Sequence, residues 1–325
     1  MIEARLTRAI LERRVSPALD EMIRYHFGYE DRGTLRRGKR LRPQLLLCVA
    51  VEEGGSLETA LDAAAAIELL HNYSLVHDDI EDGDELRRGR ATIWARYGIA
   101  HGINAGDALC AISYLTLLRN EARLPSDRIV RMVEVLHEAN LAMCDGQDLD
   151  ISFERRERVT MDEYSTMIAG KTGALFAAAC ELGALAAGSE PDRARRYASL
   201  GAAYGRAFQI RDDELGTWGA PELTGKPCGA DIARRKWSFP IVWALASAPQ
   251  SERAVVAGAY AGGGALEPAA VREVVGALER CGARDAVDRE HDRALDEADR
   301  IVAGADLDRG GSVRALMAQG SRRVA

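Results

Sequence analysis

The chain has few of the features that mark strands, metal-binding cysteine clusters or membrane spans. Aromatic residues make up only 6% of its 325 residues, and strand-like patterns are scarce. Its six cysteines form no close pair, which argues against a zinc knuckle or a CxxC redox site and fits a reducing cytosol. The apolar run "LLLCVAV" ends at Glu52, "ALFAAACELGALAAG" is broken by Glu181, and the N-terminus alternates charged and apolar residues. These absences predict a soluble cytoplasmic protein with no stable membrane insertion.

Positive charge is also in deficit, with 43 Lys and Arg against 50 Asp and Glu and a net charge of -7. An acidic chain is a poor general binder of nucleic acid, so no nucleic-acid partner is expected. The local exception is "RRGKRLR" (36–42), which has five basic residues in seven. This stretch fits a nucleic-acid or localisation patch or a small anion pocket, and the overall charge favours the pocket.

Ala- and Leu-rich runs with helical spacing dominate the sequence. They predict helices at 43–51, 57–81, 103–119, 127–151, 172–187, 196–215, 238–247 and 268–280. Several are apolar nearly all round, as expected for helices buried in the middle of a bundle. The breaks between them are turn-like, and neither a repeat nor a composition shift marks a boundary. We therefore predict a single all-α domain over residues 1–325.

The stretch "HDDIEDGDELRRG" (77–89) carries the strongest chemical signal. On a helix, Asp78 and Asp82 lie one turn apart, about 6 Å along the axis, in one stripe with His71, Ser74 and Leu75. Stacked like charges repel, and a sequence tolerates them more readily when a cation lies between them. Carboxylate ligands without a Cys or His cluster indicate Mg²⁺, which usually completes its octahedron with water and substrate phosphate. The alternative is a solvated acidic helix end.

A second doubled acid occurs in "QIRDDELGTWG" (209–219), at Asp212 and Asp213. Gly216 occupies the position that corresponds to Asp82 of the first motif. Two Asp-rich helices, with several Lys and Arg nearby, predict a diphosphate held between metals and cations. The second stretch is either a metal site that lacks one ligand or an acidic helix end.

Five sequence blocks, in order, resemble the trans-isoprenyl diphosphate (polyprenyl) synthase family. They are "GKRLRP" (38–43), "ELLHNYSLVHDDIEDGDELRRGRAT", "GQDLD" (146–150), "AGKTGALF" (169–176), and "FQIRDDELG" with "TGKPCGADIARRKWSFP". The resemblance covers about residues 36–245. It implies a bundle of roughly ten or more helices around a central apolar cavity, and it implies a homodimer. The implied activity is a Mg²⁺-dependent prenyltransferase that condenses isopentenyl diphosphate with dimethylallyl, geranyl or farnesyl diphosphate.

The resemblance also assigns roles by position. Metal binding falls on Asp78, Asp79, Asp82, Asp212 and Asp213, with about three Mg²⁺ ions when substrate is bound. The allylic diphosphate is expected to contact Arg87, Lys171, Thr172, Lys226 and Lys236, and the diphosphate of isopentenyl diphosphate is expected to contact Lys39, Arg42, His71 and Arg88. Gln209 would lie beside the reacting allylic carbon. The residues implied in catalysis are Asp78, Asp79, Asp82, Lys171, Gln209 and Asp212.

Product length is expected to depend on Tyr73 and Ser74, five and four positions before Asp78. In the resembled family these positions often set the floor of the product cavity, and a tyrosine there is typical of short-chain enzymes. Together with the tight DDxxD spacing, Tyr73 favours geranylgeranyl diphosphate as the all-trans product. The alternative is that Tyr73 packs elsewhere, since the helical wheel places it off the Asp78 stripe.

Two other functions fit the same scaffold. A class I terpene cyclase would ionise one diphosphate without a co-substrate, and the set Lys39, Arg42, His71 and Arg88 argues against it because a cyclase needs no second diphosphate pocket. A non-catalytic subunit of a heteromeric synthase predicts decay at both Asp motifs, whereas only Gly216 departs. A water can fill that position on Mg²⁺, so we expect weaker metal binding there and retained activity.

Overall fold

The computed structural model describes residues 1–29, 38–221, 227–307 and 311–322, and these residues are mainly helical. The helices are α1 Ile2–Leu11, α2 Pro17–Phe27, α3 Leu41–Glu52, α4 Leu57–Glu81, α5 Ile93–Tyr97, α6 Ile99–Leu117, α7 Ser126–Phe153, α8 Met161–Ile168, α9 Ala174–Ala187, α10 Pro191–Trp218, α11 Ala230–Ala233, α12 Phe239–Ser247, α13 Gln250–Tyr260, α14 Pro268–Arg280, α15 Ala283–Ala305 and α16 Ser312–Arg322. In this part of the chain the only strands are β1 Leu86–Arg87 and β2 Arg90–Ala91, which pair antiparallel. The all-α prediction is confirmed.

The chain divides into two compact units. Unit 1 comprises Met1–Glu138, Ala178–Ala198 and Asp308–Val313, and unit 2 comprises Ala139–Ala177, Ser199–Leu307 and Arg314–Ala325. Each unit has a hydrophobic cluster of its own, built around residues such as Leu69 and Leu109 in unit 1 and Ile241 and Leu278 in unit 2. The single domain over residues 1–325 stays a prediction.

Helix α4 forms the middle of unit 1. Ser56 caps its N-terminus by accepting a hydrogen bond from the backbone N–H of Thr59 at 3.2 Å. The alanines at 63–66 are all fully buried. Because alanine side chains are short, the neighbouring helices can approach the α4 backbone closely on all sides. This packing holds the acidic C-terminal turn of α4 on a rigid support.

One continuous stretch, Met161–Ala187, is long and apolar enough to cross a membrane, with a mean hydropathy of 1.3 in its most apolar window. Within the protein, 72% of that window is buried, as in the core helix of a globular protein. Length and composition are therefore weak grounds for a membrane span here. The expected cytoplasmic location and the absence of membrane insertion stay predictions.

Candidate active site

The first Asp motif lies at the C-terminal end of α4, in unit 1. Asp82 caps the helix, and its backbone N–H donates to the carbonyl of Asp78 at 2.8 Å. Both Asp78 and Asp82 are half-buried. Asp79, in contrast, is 2% exposed and its Oδ1 accepts a hydrogen bond from Arg87 Nε at 2.7 Å. The second acid of the motif therefore pairs with an arginine of its own unit, whereas Asp78 and Asp82 lie one turn apart at the helix end, as predicted.

Asp79 pairs with Arg87, and its pKa is raised. Burial raises the pKa of Asp79 to about 6, although the charge and hydrogen bond of Arg87 oppose that rise. Arg87 belongs to β1, so the ion pair fixes the short hairpin Leu86–Ala91 against the end of α4. Metal binding by Asp79 stays a prediction. In the structure Asp79 instead contacts Arg87, the residue predicted to bind the allylic diphosphate.

Arg88 lies at the tip of the same hairpin in a left-handed backbone conformation, with φ of 55°. Among the described residues, no carboxylate lies within ion-pair distance of its guanidinium. Burial of part of the side chain and the charges of Arg40 and Arg87 lower the pKa of Arg88. A Cβ added at Gly38 would lie 2.8 Å from Arg88 Nη2, so Arg88 packs directly over the "GKRLRP" block. Arg88 is thus a cation whose surroundings favour an added anion.

Arg42 and His71, which are both predicted to hold isopentenyl diphosphate, contact each other. Arg42 Nη1 lies 3.3 Å from His71 Nε2. Burial and nearby arginine charges lower the pKa of His71 well below its usual value, so the imidazole is neutral. Because an arginine can only donate, Nε2 accepts and Nδ1 carries the proton. Lys39 is exposed, and its carbonyl accepts a hydrogen bond from Gln44 Nε2 at 2.6 Å.

An open pocket lies in unit 1 beside these groups. It is lined by Tyr25, His26, Phe27, Arg40, Asn72, Asp79, Arg87, Arg88, Arg90, Ala91, Thr92 and Ile93. Four arginines face one carboxylate, so the lining favours anions. Of the groups predicted to hold isopentenyl diphosphate, Arg88 alone is part of this lining. His26 and Asn72 were missed by sequence reasoning because only the fold brings the end of α2 to α4.

The second Asp motif lies near the C-terminal end of α10, in unit 2. Asp212 is exposed, whereas Asp213 is 6% exposed. Asp213 Oδ2 accepts hydrogen bonds from Tyr164 Oη at 2.6 Å and from the backbone N–H of Phe239 at 2.7 Å. Its Oδ1 accepts one from Gln209 Nε2 at 2.8 Å. Burial raises the pKa of Asp213 to about 7 despite these bonds.

The two Asp motifs therefore share one arrangement. In each doubled acid the second residue, Asp79 or Asp213, is buried and bonded within its own unit. The first residue, Asp78 or Asp212, is the more exposed of the pair. This division of roles favours Asp78 and Asp212 as ligands for a metal, with Asp79 and Asp213 organising the surrounding groups.

Lys171 and Thr172 lie in a π-helical turn, Ala169–Gly173, between α8 and α9. Such turns widen a helix locally and are frequent at functional sites. A Cβ at Gly146 would lie 2.2 Å from the backbone nitrogen of Lys171, so only glycine allows α7 to approach this turn. Lys171 Nζ donates to Asp150 Oδ2 at 2.5 Å.

A chain of hydrogen bonds continues from this turn to the second motif. Thr172 Oγ1 donates to Gln209 Oε1 at 2.5 Å, and Gln209 in turn donates to Asp213. The structure thus brings together Thr172 and Gln209, two of the residues predicted to bind substrate. Asp150 and Tyr164 were missed, although the block "GQDLD" was a signal for the first.

The space beside Gly216 is taken by another acid. A Cβ added at Gly216 would lie 1.8 Å from Asp231 Oδ2 and 2.5 Å from its Cγ. Asp231 belongs to α11, and its carbonyl accepts a hydrogen bond from the backbone N–H of Lys236 at 2.9 Å. The carboxylate of Asp231 therefore stands where the side chain of an acid at 216 would begin. Lys226 lies outside the described residues.

Strained backbone marks three of the predicted diphosphate segments. Among the described residues, the non-glycine positions with positive φ are Arg40, Arg88, Arg235 and Asp306. Arg40 follows Lys39, and Arg235 precedes Lys236 and donates to the carbonyls of Ala259 and Gly264 at 2.8 and 2.5 Å. Such conformations persist only where the surroundings hold them, and they cluster at ligand sites.

The donor chemistry at both helix ends fits Mg²⁺. The available ligands are carboxylate oxygens, which are the hard donors that Mg²⁺ prefers. In the part of the chain that the structure describes, no three His, Cys, Asp or Glu side chains are close enough to cage a metal ion. Mg²⁺ needs no such cage, since it usually keeps waters and substrate oxygens in its octahedron.

Tyr73, the predicted floor residue, lies beside His77 and packs against the hydrophobic cluster of unit 1. The two rings are 4.9 Å apart at 69°. His77 in turn lies over Gly106 of α6, where an added Cβ would be 2.2 Å from its Nε2. Ser74 Oγ donates to the carbonyl of His71 at 2.9 Å. The roles of Tyr73 and Ser74 in product length stay predictions.

Comparison with known proteins shows the family of the chain. A sequence model described as polyprenyl synthetase matches residues 23–278. The chain is 38% identical over 248 residues to the (2E,6E)-farnesyl diphosphate synthase of Mycobacterium tuberculosis. That match covers 75% of this chain and 68% of the relative. It is 42% identical over 235 residues to the geranylgeranyl diphosphate synthase of that organism, over 70% of this chain and 66% of the relative. The crystal structure of a polyprenyl synthetase from Streptomyces coelicolor A3(2) has a TM-score of 0.87 and 32% identity, and the match covers 98% of this chain and 95% of that one. The chain therefore belongs to the polyprenyl synthetase family, and it is a prenyltransferase.

Proposed function

We propose that this prenyltransferase condenses isopentenyl diphosphate with an allylic diphosphate in a Mg²⁺-dependent reaction and releases geranylgeranyl diphosphate. The observation that carries the proposal is the concentration of cations around the C-terminal half of α4. Arg40, Arg42, Arg87 and Arg88 all lie near His71, and Arg87 also pairs with Asp79 of the first Asp motif. Such a group of cations suits two diphosphates better than one.

The proposed Mg²⁺ ligands are Asp78, Asp79, Asp82, Asp212 and Asp213. Of these, Asp78, Asp82 and Asp212 are the more exposed and so the more accessible to a metal ion. When bound, Mg²⁺ neutralises the charge that builds on the departing diphosphate. Arg87, which pairs with Asp79, and Lys171, which pairs with Asp150, are the cations proposed for the allylic diphosphate. Thr172, Lys226 and Lys236 belong to the proposed allylic site. Gln209, whose side chain donates to Asp213, is the residue proposed to lie beside the reacting carbon.

The proposed reaction balances without a protein nucleophile. The bond between the allylic carbon and its diphosphate breaks, and pyrophosphate leaves with the electron pair. The double bond of isopentenyl diphosphate then attacks the allylic cation, and the released pyrophosphate takes the proton that is lost. Lys39, Arg42, His71 and Arg88 hold isopentenyl diphosphate in line, which supplies rate by orientation. The reaction also requires a dry apolar cavity that keeps water from the cation.

Geranylgeranyl diphosphate is the proposed product because Tyr73, bulky and packed against His77, suits a cavity floor. The relatives divide on this point, since one is named a farnesyl and another a geranylgeranyl diphosphate synthase. A homodimer in the cytoplasm belongs to the same proposal through family resemblance.

The experiment is an extension assay with purified protein, Mg²⁺, isopentenyl diphosphate and each of dimethylallyl, geranyl and farnesyl diphosphate. Chain-extended diphosphates ending at geranylgeranyl diphosphate support the proposal. A hydrocarbon formed from geranylgeranyl diphosphate alone would indicate a cyclase, and no turnover without an added partner would indicate a non-catalytic subunit. Product that stops at farnesyl diphosphate would overturn the product assignment alone.

A further inference from the structure

Arg40 is a buried arginine in a block whose other basic residues have assigned roles. Lys39 is exposed and Arg42 half-buried, whereas Arg40 is 8% exposed. Its backbone is left-handed, with φ of 51° and ψ of 37°, and it forms the N-cap of α3. A non-glycine residue in this region is strained by about 1 kcal/mol. The side chain must therefore make contacts that hold the backbone there.

Those contacts join three helices. Arg40 Nη1 donates to Glu68 Oε1 at 2.5 Å, and Arg40 Nε donates to Glu3 Oε1 at 2.8 Å. Glu68, on α4, is 3% exposed and also accepts a hydrogen bond from Asn72 Nδ2 at 3.0 Å. Asn72 Oδ1 lies 3.0 Å from His26 Nε2. We call these five residues the Arg40 network.

The Arg40 network lies directly behind the segments that carry the isopentenyl diphosphate ligands. Arg40 lies between Lys39 and Arg42, and Glu68 lies about one turn before His71 on α4. Arg42, two residues after Arg40, places its Nη1 3.3 Å from His71 Nε2. The ion pair between Arg40 and Glu68 therefore sets the start of α3 against the turn of α4 that bears His71.

We propose that Arg40 is a positioning residue for isopentenyl diphosphate, which fixes Lys39 and Arg42 against His71 by bridging Glu3 and Glu68. This inference rests on the proposed function. A lysine at 40 keeps the charge but not the planar fork, so it cannot hold both carboxylates in the same geometry. Glu3 makes the N-terminal helix α1 part of the arrangement.

The experiment compares Arg40→Lys and Glu3→Gln with a matched control, Arg5→Lys. Arg5 also joins α1 to α4 through two ion pairs, to Asp62 at 2.9 Å and to Glu58 at 2.6 Å, but its partners lie farther from His71 along α4. Lys39→Ala, a proposed direct contact, serves as the positive reference. For each full-length variant, KM for isopentenyl diphosphate, KM for farnesyl diphosphate, kcat and the thermal unfolding midpoint are measured.

We expect Arg40→Lys to raise KM for isopentenyl diphosphate about tenfold, with kcat and KM for farnesyl diphosphate within about twofold of wild type. Glu3→Gln should also raise KM for isopentenyl diphosphate, but by less than Arg40→Lys. This second variant tests the proposal if Arg40→Lys does not fold. Arg5→Lys should lower the unfolding midpoint alone. If Arg40→Lys and Glu3→Gln behave like Arg5→Lys while Lys39→Ala raises KM, the inference fails and the proposed function stands. If Lys39→Ala also leaves KM unchanged, the assignment of the isopentenyl site fails as well.

Discussion

Replacing Gly216 with alanine tests the reason why the second Asp motif lacks its last acid. The added Cβ would lie 1.8 Å from Asp231 Oδ2, and real Cβ contacts essentially never fall under 3.0 Å. The carboxylate must therefore retreat by at least 3.0 − 1.8 = 1.2 Å. It can do so by rotating its side chain, so we expect Gly216→Ala to fold.

The displaced carboxylate should weaken metal binding at this helix. If Asp231 supplies the oxygen that Gly216 cannot, a retreat of this size removes one ligand or one hydrogen bond to a bound water. We expect the Mg²⁺ concentration for half-maximal activity to rise about tenfold, which corresponds to about 1.4 kcal/mol. Manganese binding, followed by electron paramagnetic resonance without substrate, should weaken in parallel.

Gly258 provides the control. It lies in α13, and a Cβ there would meet nothing within 4 Å. Gly258→Ala should leave metal binding unchanged and stabilise the fold by about 0.5–1 kcal/mol, since alanine favours a helix over glycine. If Gly216→Ala bound manganese as tightly as Gly258→Ala, Asp231 would have no part in metal binding and this reasoning would be refuted. Gly216→Asp should retain activity, because its own carboxylate replaces that of Asp231.

Other substitutions test the remaining assignments. Asp78→Ala should abolish extension and Asp212→Ala should impair it, and an Asp212→Ala enzyme as active as wild type would favour the acidic-helix-end interpretation of the second motif. Tyr73→Ala should lengthen the product in a mass-spectrometric assay, and an unchanged product would remove Tyr73 from the cavity floor. Burial tends to raise the pKa of Glu53, but hydrogen bonds from Arg193, Tyr197 and Ser189 lower it to about 2. The ionised Glu53 therefore stabilises the fold fully above pH 4.5, and this stabilisation is lost as pH falls towards 2. Glu53→Gln should cost about 1.5–3 kcal/mol in urea unfolding at pH 7, and its stability should fall less than that of wild type between pH 5 and pH 3; equal pH dependence would contradict the assignment.

The apolar helices were predictable from sequence because helical spacing of apolar residues is a local pattern, which can be recognised without knowing what the helix packs against. The predicted helices at 57–81 and 268–280 coincide with α4 and α14. Amphipathic and charged helices such as α1 and α15 were not predicted, because they contain no continuous apolar run. Their burial depends on the faces that other helices offer.

The site was predictable where residues share one helix and less so where the fold joins distant segments. The stripe with Asp78 and Asp82 follows from helical geometry alone. The inward pairing of Asp213 depends on Tyr164 and on the backbone of Phe239, which are 49 and 26 residues away. The carboxylate beside Gly216 likewise comes from Asp231 in a different helix. Such contacts follow from tertiary packing, which the local pattern does not specify.

The most direct test of the account is the extension assay of the wild-type enzyme with and without Mg²⁺, using radiolabelled isopentenyl diphosphate and farnesyl diphosphate. The account predicts that label enters geranylgeranyl diphosphate only when Mg²⁺ is present, with one equivalent of pyrophosphate released for each isopentenyl unit added. Label that stays in isopentenyl diphosphate when Mg²⁺ is present, for a folded enzyme that binds manganese, would contradict it.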